Sequence, residues 1–161
     1  MSEIEITHEE SVTVIRINRP QRRNAINGAT AAALREAWQA FDADENARVA
    51  ILTGGDDVFC AGADLQELET LLPGLEGDFG PLGYTRQSVS KPTIAAIAGY
   101  AVAGGLELAC WCDLRVVDET AVFGAFERRF GVPLIDGGNY SPAADYRPGR
   151  ALEMIPPPGA P

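Results

Sequence analysis

Positive charge is scarce in this chain: 13 Lys and Arg stand against 23 Asp and Glu in 161 residues, a formal charge of −10. Only Arg22-Arg23 and Arg128-Arg129 set two basic residues side by side, so neither nucleic acid nor an anionic membrane is expected as the main partner. One histidine, His8, and three cysteines, Cys60, Cys110 and Cys112, make no CxxC pair and no zinc set; no metal is expected. A cysteine nucleophile would lack a neighbouring base, since His8 is remote in sequence. His8 reads as a surface strand residue, and the thiols, in apolar contexts, as small buried hydrophobes. No apolar run approaches the ~18 residues that span a bilayer. The acidic N-terminal stretch MSEIEITHEE also lacks the layout of a signal peptide. Neither GxGxxG nor GxxxxGK[ST] occurs, which disfavours nucleotide-phosphate chemistry. The expectation is a soluble, cytoplasmic protein.

What is present fits one domain with a real core, 46% of the residues being hydrophobic. Ile4 and Ile6 alternate with polar neighbours and residues 11–18 (SVTVIRIN) are β-branched, predicting an antiparallel hairpin turned at Glu9-Glu10. Asn27 is a candidate helix cap, followed by Ala32, Leu34, Ala37, Trp38 and Phe41 at near-helical spacing up to Asp44. Residues 49–53 (VAILT) read as a buried strand stopped by Gly54-Gly55. Residues 65–72 (LQELETLL) predict a helix, and the Gly- and Pro-rich 73–84 predict none. A strand over 93–98, a short helix over 106–111, a strand over 114–117 and a strand or turn near Val122-Phe123 complete an α/β order. Trp38 and Trp111 are assigned to the core. The proline-rich residues 139–161 predict little order.

Two segments carry the chemistry. Residues 59–65 (FCAGADL) follow a buried strand and precede a predicted helix. Small residues at Ala61, Gly62 and Ala63 either satisfy a tight turn or let a ligand approach outward main-chain N–H groups. Residues 98–109 (AGYAVAGGLELA) repeat that layout, so N–H groups from two turns could converge on one oxygen as an oxyanion hole. Glu107 stands in the first turn of the apolar helix, as a helix-end charge or as a partly buried carboxyl. Glu127 is either an ion-pair partner of Arg128 or Arg129 or a second such carboxyl. Two carboxyls in one pocket can divide labour, one activating water and one donating a proton.

These residues resemble the enoyl-CoA hydratase/isomerase (crotonase) family. The likeness runs through NRPQRRNAIN at 18–27, VAILTG at 49–54, FCAGADL at 59–65, KPTIAAIAGYAVAGGLELA at 91–109, CDLRVV at 112–117 and FGVPLIDGG at 130–138. The resemblance implies an α/β fold, the crotonase-like (ClpP/crotonase) spiral of ββα turns, and an acyl-CoA thioester substrate whose enolate is stabilised at the thioester oxygen. It further implies hydration of a 2-enoyl-CoA, a lyase reaction of lipid and fatty acid metabolism, with no cofactor beyond the coenzyme A of the substrate. Ala61 and Gly104 match the oxyanion-hole positions, and Glu107 and Glu127 the two catalytic acids, with Glu127 expected to donate to C2. Arg22, Arg23 and Ala25, together with Ala61, Gly62, Ala63, Asp64 and Leu65, match the region that meets CoA and the thioester. For Arg22 and Arg23 the other reading is a solvated basic loop. The intact family form implies a homo-oligomer. Double-bond isomerisation of an enoyl-CoA, or an inactive acyl-CoA-binding remnant, are the competing expectations.

After Gly138 the likeness stops, so residues 1–138 are expected to be the spiral core with its C-terminal helical part missing, and 139–161 an irregular tail. Residues 150–155 (RALEMI) resemble the family again at the expected offset, which predicts a frameshift: ordinary codons for 139–148, advanced one nucleotide, permit TTVRLPIIGQ, similar to the missing segment. Apolar surface normally covered by the absent helices would then be exposed and favour association.

Overall fold

The computed structural model describes residues 2–136. The expectations for 139–161, the frameshift included, lie outside the described residues.

Strand β1 (Ile4–Glu9) turns at Glu10, φ +54°, and pairs antiparallel with β2 (Val12–Ile17). Helix α1 (Gly28–Ala43) then crosses to β3 (Val49–Thr53), which lies parallel to β2 with Ile15 opposite Leu52. The Asn27 side chain starts α1 by accepting from the Thr30 N–H at 2.8 Å, satisfying a donor with no intrahelical partner. Its apolar stripe buries Ala31, Leu34, Ala37, Trp38 and Phe41. β4 (Thr93–Ile97) pairs parallel with β3, and β6 (Leu114–Val117) parallel with β4, giving the order β1-β2-β3-β4-β6. Between those two strands the chain makes β5 (Tyr100–Val102) and helix α2 (Gly104–Trp111). β7 (Val122–Gly124) runs parallel to β5 as a separate pair. Ile15, Leu52 and Ala95 at the sheet centre are fully buried beneath α1. Trp38, Tyr84 and Trp111 pack together in tilted and edge-to-face pairs, with ring centroids 4.5–5.3 Å apart.

The helix expected over 65–72 is corrected to two 3-10 turns, Leu68–Thr70 and Leu72–Gly74. Local hydrogen bonding wins over the apolar spacing: the Asp64 carboxylate accepts from the Gln66 N–H at 3.1 Å, and Pro73 cannot continue a helix. The predicted helix over 106–111 begins earlier, at Gly104, and a further 3-10 turn covers Glu127–Phe130. Residues 75–87 lack helices and strands but are pinned: Arg86 donates to the Leu75 and Gly77 carbonyls, both at 2.8 Å.

Candidate active site

The two small-residue turns meet. The segment around Cys60 is laced to β5 by Cys60 N–H to Tyr100 O at 3.0 Å and Val102 N–H to Cys60 O at 3.1 Å. A Cβ on Gly105 would fall 2.0 Å from the Cys60 carbonyl oxygen, so the first turn of α2 can approach this segment only without a side chain. Gly62, at φ +91°, comes so close that a Cβ there would lie 2.8 Å from the Gly104 nitrogen. Just before the helix, Ala103 holds φ +50° and ψ −124°, a strained conformation for a non-glycine residue and one that clusters at functional sites.

Amide directions in this corner follow from the ladder. Ile26 bridges Ala63 in parallel fashion, its N–H donating to Gly62 O at 2.8 Å and its carbonyl accepting from Asp64 N–H at 2.7 Å. Such a bridge uses the groups on either side of Ala63 and turns the Ala63 N–H the other way. That N–H has no partner among the described residues, and neither does the N–H of Gly104 at the first helical position of α2. Ala63 and Gly104 both line a cavity of about 460 Å³. The Ala61 N–H, expected as an oxyanion donor, instead donates to the Arg23 carbonyl at 3.1 Å. The donor pair that faces the cavity is therefore Ala63 with Gly104, which corrects the assignment to Ala61.

Glu107 and Glu127 line the same cavity. Glu107 is buried on α2, and its Oε1 accepts from the Asp136 N–H at 2.9 Å. Glu127, in the 3-10 turn after β7, has a buried Oε2 with no hydrogen-bond partner, and burial raises its carboxyl above the ordinary range. The ion-pair alternative does not hold for Arg129, whose guanidinium stacks 5.2 Å from the Phe126 ring centroid. Asp136 is a third acid of the cavity, absent from the sequence reading. Its carboxylate accepts from the Leu82 N–H at 3.1 Å and from the Thr85 hydroxyl, while burial pushes its carboxyl up. The only sequence signal was an aspartate in the otherwise apolar run 132–136 (VPLID).

The remaining expected contacts separate into two groups. Arg23, Ala61, Ala63 and Leu65 line the cavity. Arg22, Ala25, Gly62 and Asp64 do not, and for three of them the cause is local. Arg22 grips Asp64 through Nη2 at 2.6 Å and Nε at 3.0 Å. The buried Asp64 also takes Arg19 Nη1 at 3.1 Å, and those guanidinium groups hold its carboxyl below the usual range. Gly62 is consumed by the close approach to Gly104. Arg22 and Asp64 are thus corrected from ligand contacts to an internal lock, whereas the exposed Arg23 guanidinium has no ion-pair partner among the described residues.

Cys60, Cys110 and Cys112 are buried and outside any disulfide, and burial pushes the Cys60 and Cys112 thiols up to about 12, which leaves those two without a thiolate for nucleophilic chemistry near neutral pH. His8 sits exposed on β1 with its Nδ1 3.3 Å from the Thr13 hydroxyl. Among the described residues no group of three or more His, Cys, Asp or Glu could hold a metal ion, and no helix is long and apolar enough to cross a membrane.

The family model for enoyl-CoA hydratase/isomerase matches residues 7–141. A mevalonyl-coenzyme A hydratase from Aspergillus fumigatus is 39% identical over 130 residues, covering 78% of this chain and 48% of the relative. A crotonyl-CoA hydratase from Syntrophomonas wolfei is 36% identical over 152 residues, covering 91% and 58%. The crystal structure of an enoyl-CoA hydratase from Mycobacterium marinum superposes with a TM-score of 0.88 at 36% identity, over 94% of this chain and 60% of that one. This chain spans about half to three fifths of the length of these relatives. On the matched motifs, the superposed fold and the extent of both, the chain belongs to the enoyl-CoA hydratase/isomerase family.

Proposed function

We propose that this chain carries the catalytic core of a hydratase that adds water reversibly to a 2-enoyl-CoA thioester. The reading is supported by one observation above all: two unpartnered amide hydrogens, Ala63 and Gly104, border the same cavity as two carboxyls, Glu107 and Glu127. The thioester oxygen accepts from both amides, so the charge that arises there as water attacks C3 meets fixed dipoles. Glu107, held by the Asp136 N–H, takes the proton of the attacking water as its oxygen bonds to C3. Glu127, whose burial favours the protonated carboxyl, gives its proton to C2 as the enolate collapses, and the two acids then re-equilibrate. Assistance of this kind is worth ~10²–10⁴ in rate. Coenzyme A enters as part of the substrate, and no step calls on a metal or a separate cofactor. Arg23 on the cavity wall is the cation available to the CoA phosphates. A cytoplasmic location and assembly of copies into a homo-oligomer belong to the same proposal.

Hydration of crotonyl-CoA by the chain, followed as loss of the conjugated enoyl absorbance and compared with isomerisation of a 3-enoyl-CoA, tests it. Glu107→Gln and Glu127→Gln should each lower kcat by ~10²–10⁴ with little change in KM. Full hydration by either variant refutes the two-carboxyl scheme. The competing reading is acyl-CoA binding without turnover. Thermal stabilisation by crotonyl-CoA without turnover supports that reading, and absence of both refutes each.

A further inference from the structure

We infer that Asp136 is a positioning residue of the hydration: its carboxylate, clasped by the 82–85 segment, sets its own backbone N–H against Glu107 and so aims the carboxyl that takes the proton of the attacking water. The inference rests on the hydratase reading above. Asp136 is 7% exposed, and a buried carboxylate has to find its donors within the protein. Oδ1 finds two, the Leu82 N–H at 3.1 Å and the Thr85 hydroxyl. The Asp136 N–H in turn donates to Glu107 Oε1 at 2.9 Å, so hydrogen bonds run in series from the 82–85 segment to the acid on α2. Residues 131–136 belong to no helix or strand, and the Asp136 carboxylate is what ties this stretch to the 82–85 segment.

The anchor itself is fixed. A Cβ on Gly83 would fall 2.0 Å from the Ala31 carbonyl oxygen of α1, Tyr84 is buried against Trp38 and Trp111, and the Trp111 indole donates to the Gln87 carbonyl at 2.7 Å. Gly80, at φ +82°, leaves room for the clasp, since a Cβ there would press on the Thr85 hydroxyl and on Asp136 Oδ1. Leu82 also reaches the other half of the site: its Cδ1 lies 2.8 Å from where a Cβ on Gly104 would stand. One carboxylate thus ties the wall behind the Gly104 amide to the acid that works beside it. A glutamate side chain is long and rich in rotamers, and a misplacement of ~1 Å in a reacting geometry costs about 10²-fold in rate. Asp136 lines the cavity and Thr85 does not, which lets positioning be told from direct contact with substrate.

Steady-state hydration of crotonyl-CoA by the full chain, with circular dichroism to measure the folded fraction, tests the inference. Thr85→Val removes the donor at nearly constant shape and should lower kcat about three- to tenfold with KM within about twofold, and Thr85→Ser should restore most of it. Asp136→Ala should lower kcat about ten- to a hundredfold, and Asp136→Asn, which keeps an acceptor oxygen in place, should recover most of that loss. In the Thr85→Val, Asp136→Ala double variant the two losses should not multiply, because both break one series of bonds. Parental kcat in folded Thr85→Val, or losses that multiply, overturns the positioning role and leaves the hydratase reading standing. Equal losses in Asp136→Asn and Asp136→Ala overturn it as well, and make Asp136 an acid that touches substrate. The two Thr85 variants decide the matter even where Asp136→Ala does not fold. A folded parent chain that hydrates no crotonyl-CoA overturns both the positioning role and the hydratase reading.

Discussion

Replacing Arg19 by Met should cost this fold about 3–5 kcal/mol, the loss expected when one partner is removed from a buried ion pair. Arg19 is 4% exposed, and its guanidinium reaches three acids: Asp64 at 3.1 Å, Glu67 at 3.2 Å and Glu3 at 3.2 Å. It also donates to the Ala25 carbonyl. Met fills much of the stem volume, so packing changes little and the charge balance dominates. Without the cation, Asp64 keeps only Arg22, while Glu3 and Glu67 are left near it with no guanidinium between them. Glu3 and Glu67 are partly solvated, which places the expected loss toward the lower end of the range. For a chain of this size the loss corresponds to a fall in Tm of about 6–20 °C. Urea unfolding, followed by fluorescence of the packed Trp38 and Trp111, measures it. Arg19→Lys should recover part of the loss, since it restores charge but not the forked geometry. A loss below about 1 kcal/mol for Arg19→Met would refute the claim that this guanidinium clamps the 60–64 turn to the 19–27 loop, and would return the cluster to the class of weak surface pairs.

Asp64 itself gives an acid signature. Its folded carboxyl lies below the usual range because of Arg22, so its stabilisation is present above the unfolded value and is lost as pH falls through the folded one; Asp64→Asn should flatten the stability loss below about pH 4. Glu127 has the opposite sign. Burial raises its folded value, so the unfolded chain ionises first and stability falls as pH climbs above the ordinary glutamate range; Glu127→Gln should gain urea resistance relative to the parent at pH 7 but not at pH 4, and an equal effect at both values would contradict the buried carboxyl. Gly105→Ala should destabilise by more than about 2 kcal/mol, because a Cβ 2.0 Å from the Cys60 oxygen forces α2 away from the Cys60 segment; a neutral change would mean that the approach is not tight. The three thiols should react with an aromatic disulfide reagent only at the rate of unfolding, and fast labelling of the native chain at pH 8 would contradict their burial and the raised Cys60 and Cys112 values.

The features legible in the sequence are those written in local pattern. The hairpin, α1 with its Asn27 cap, and the apolar strands follow from period-two and near-helical spacing, and the structure places them within a residue or two of expectation. Over 65–72 the apolar spacing suggests a helix because it carries no sign of the competing Asp64 side chain or of Pro73 at the end of the run. Asp136 is not legible locally for a related reason: its partners Leu82, Thr85 and Glu107 all lie on other segments, and nothing in 132–136 announces them. The oxyanion donors are the instructive case. Small residues at 61, 62 and 63 say that backbone can be approached there, and no local rule says which of the three N–H groups is turned outward. That choice is made by pairing with Ile26 and by the Arg23 carbonyl, both far away in the chain: Ile26 donates to the Gly62 carbonyl and accepts from the Asp64 N–H on either side of the outward group, and the Arg23 carbonyl takes the Ala61 N–H. A shift of one residue in that register would present the Gly62 or Asp64 amide and withdraw Ala63, because alternate amides point to opposite sides. Arg19 and Arg22, by holding the Asp64 side chain next to that pairing, brace the register that Ile26 and Arg23 set, so the outward Ala63 amide leans on charges that do not line the cavity.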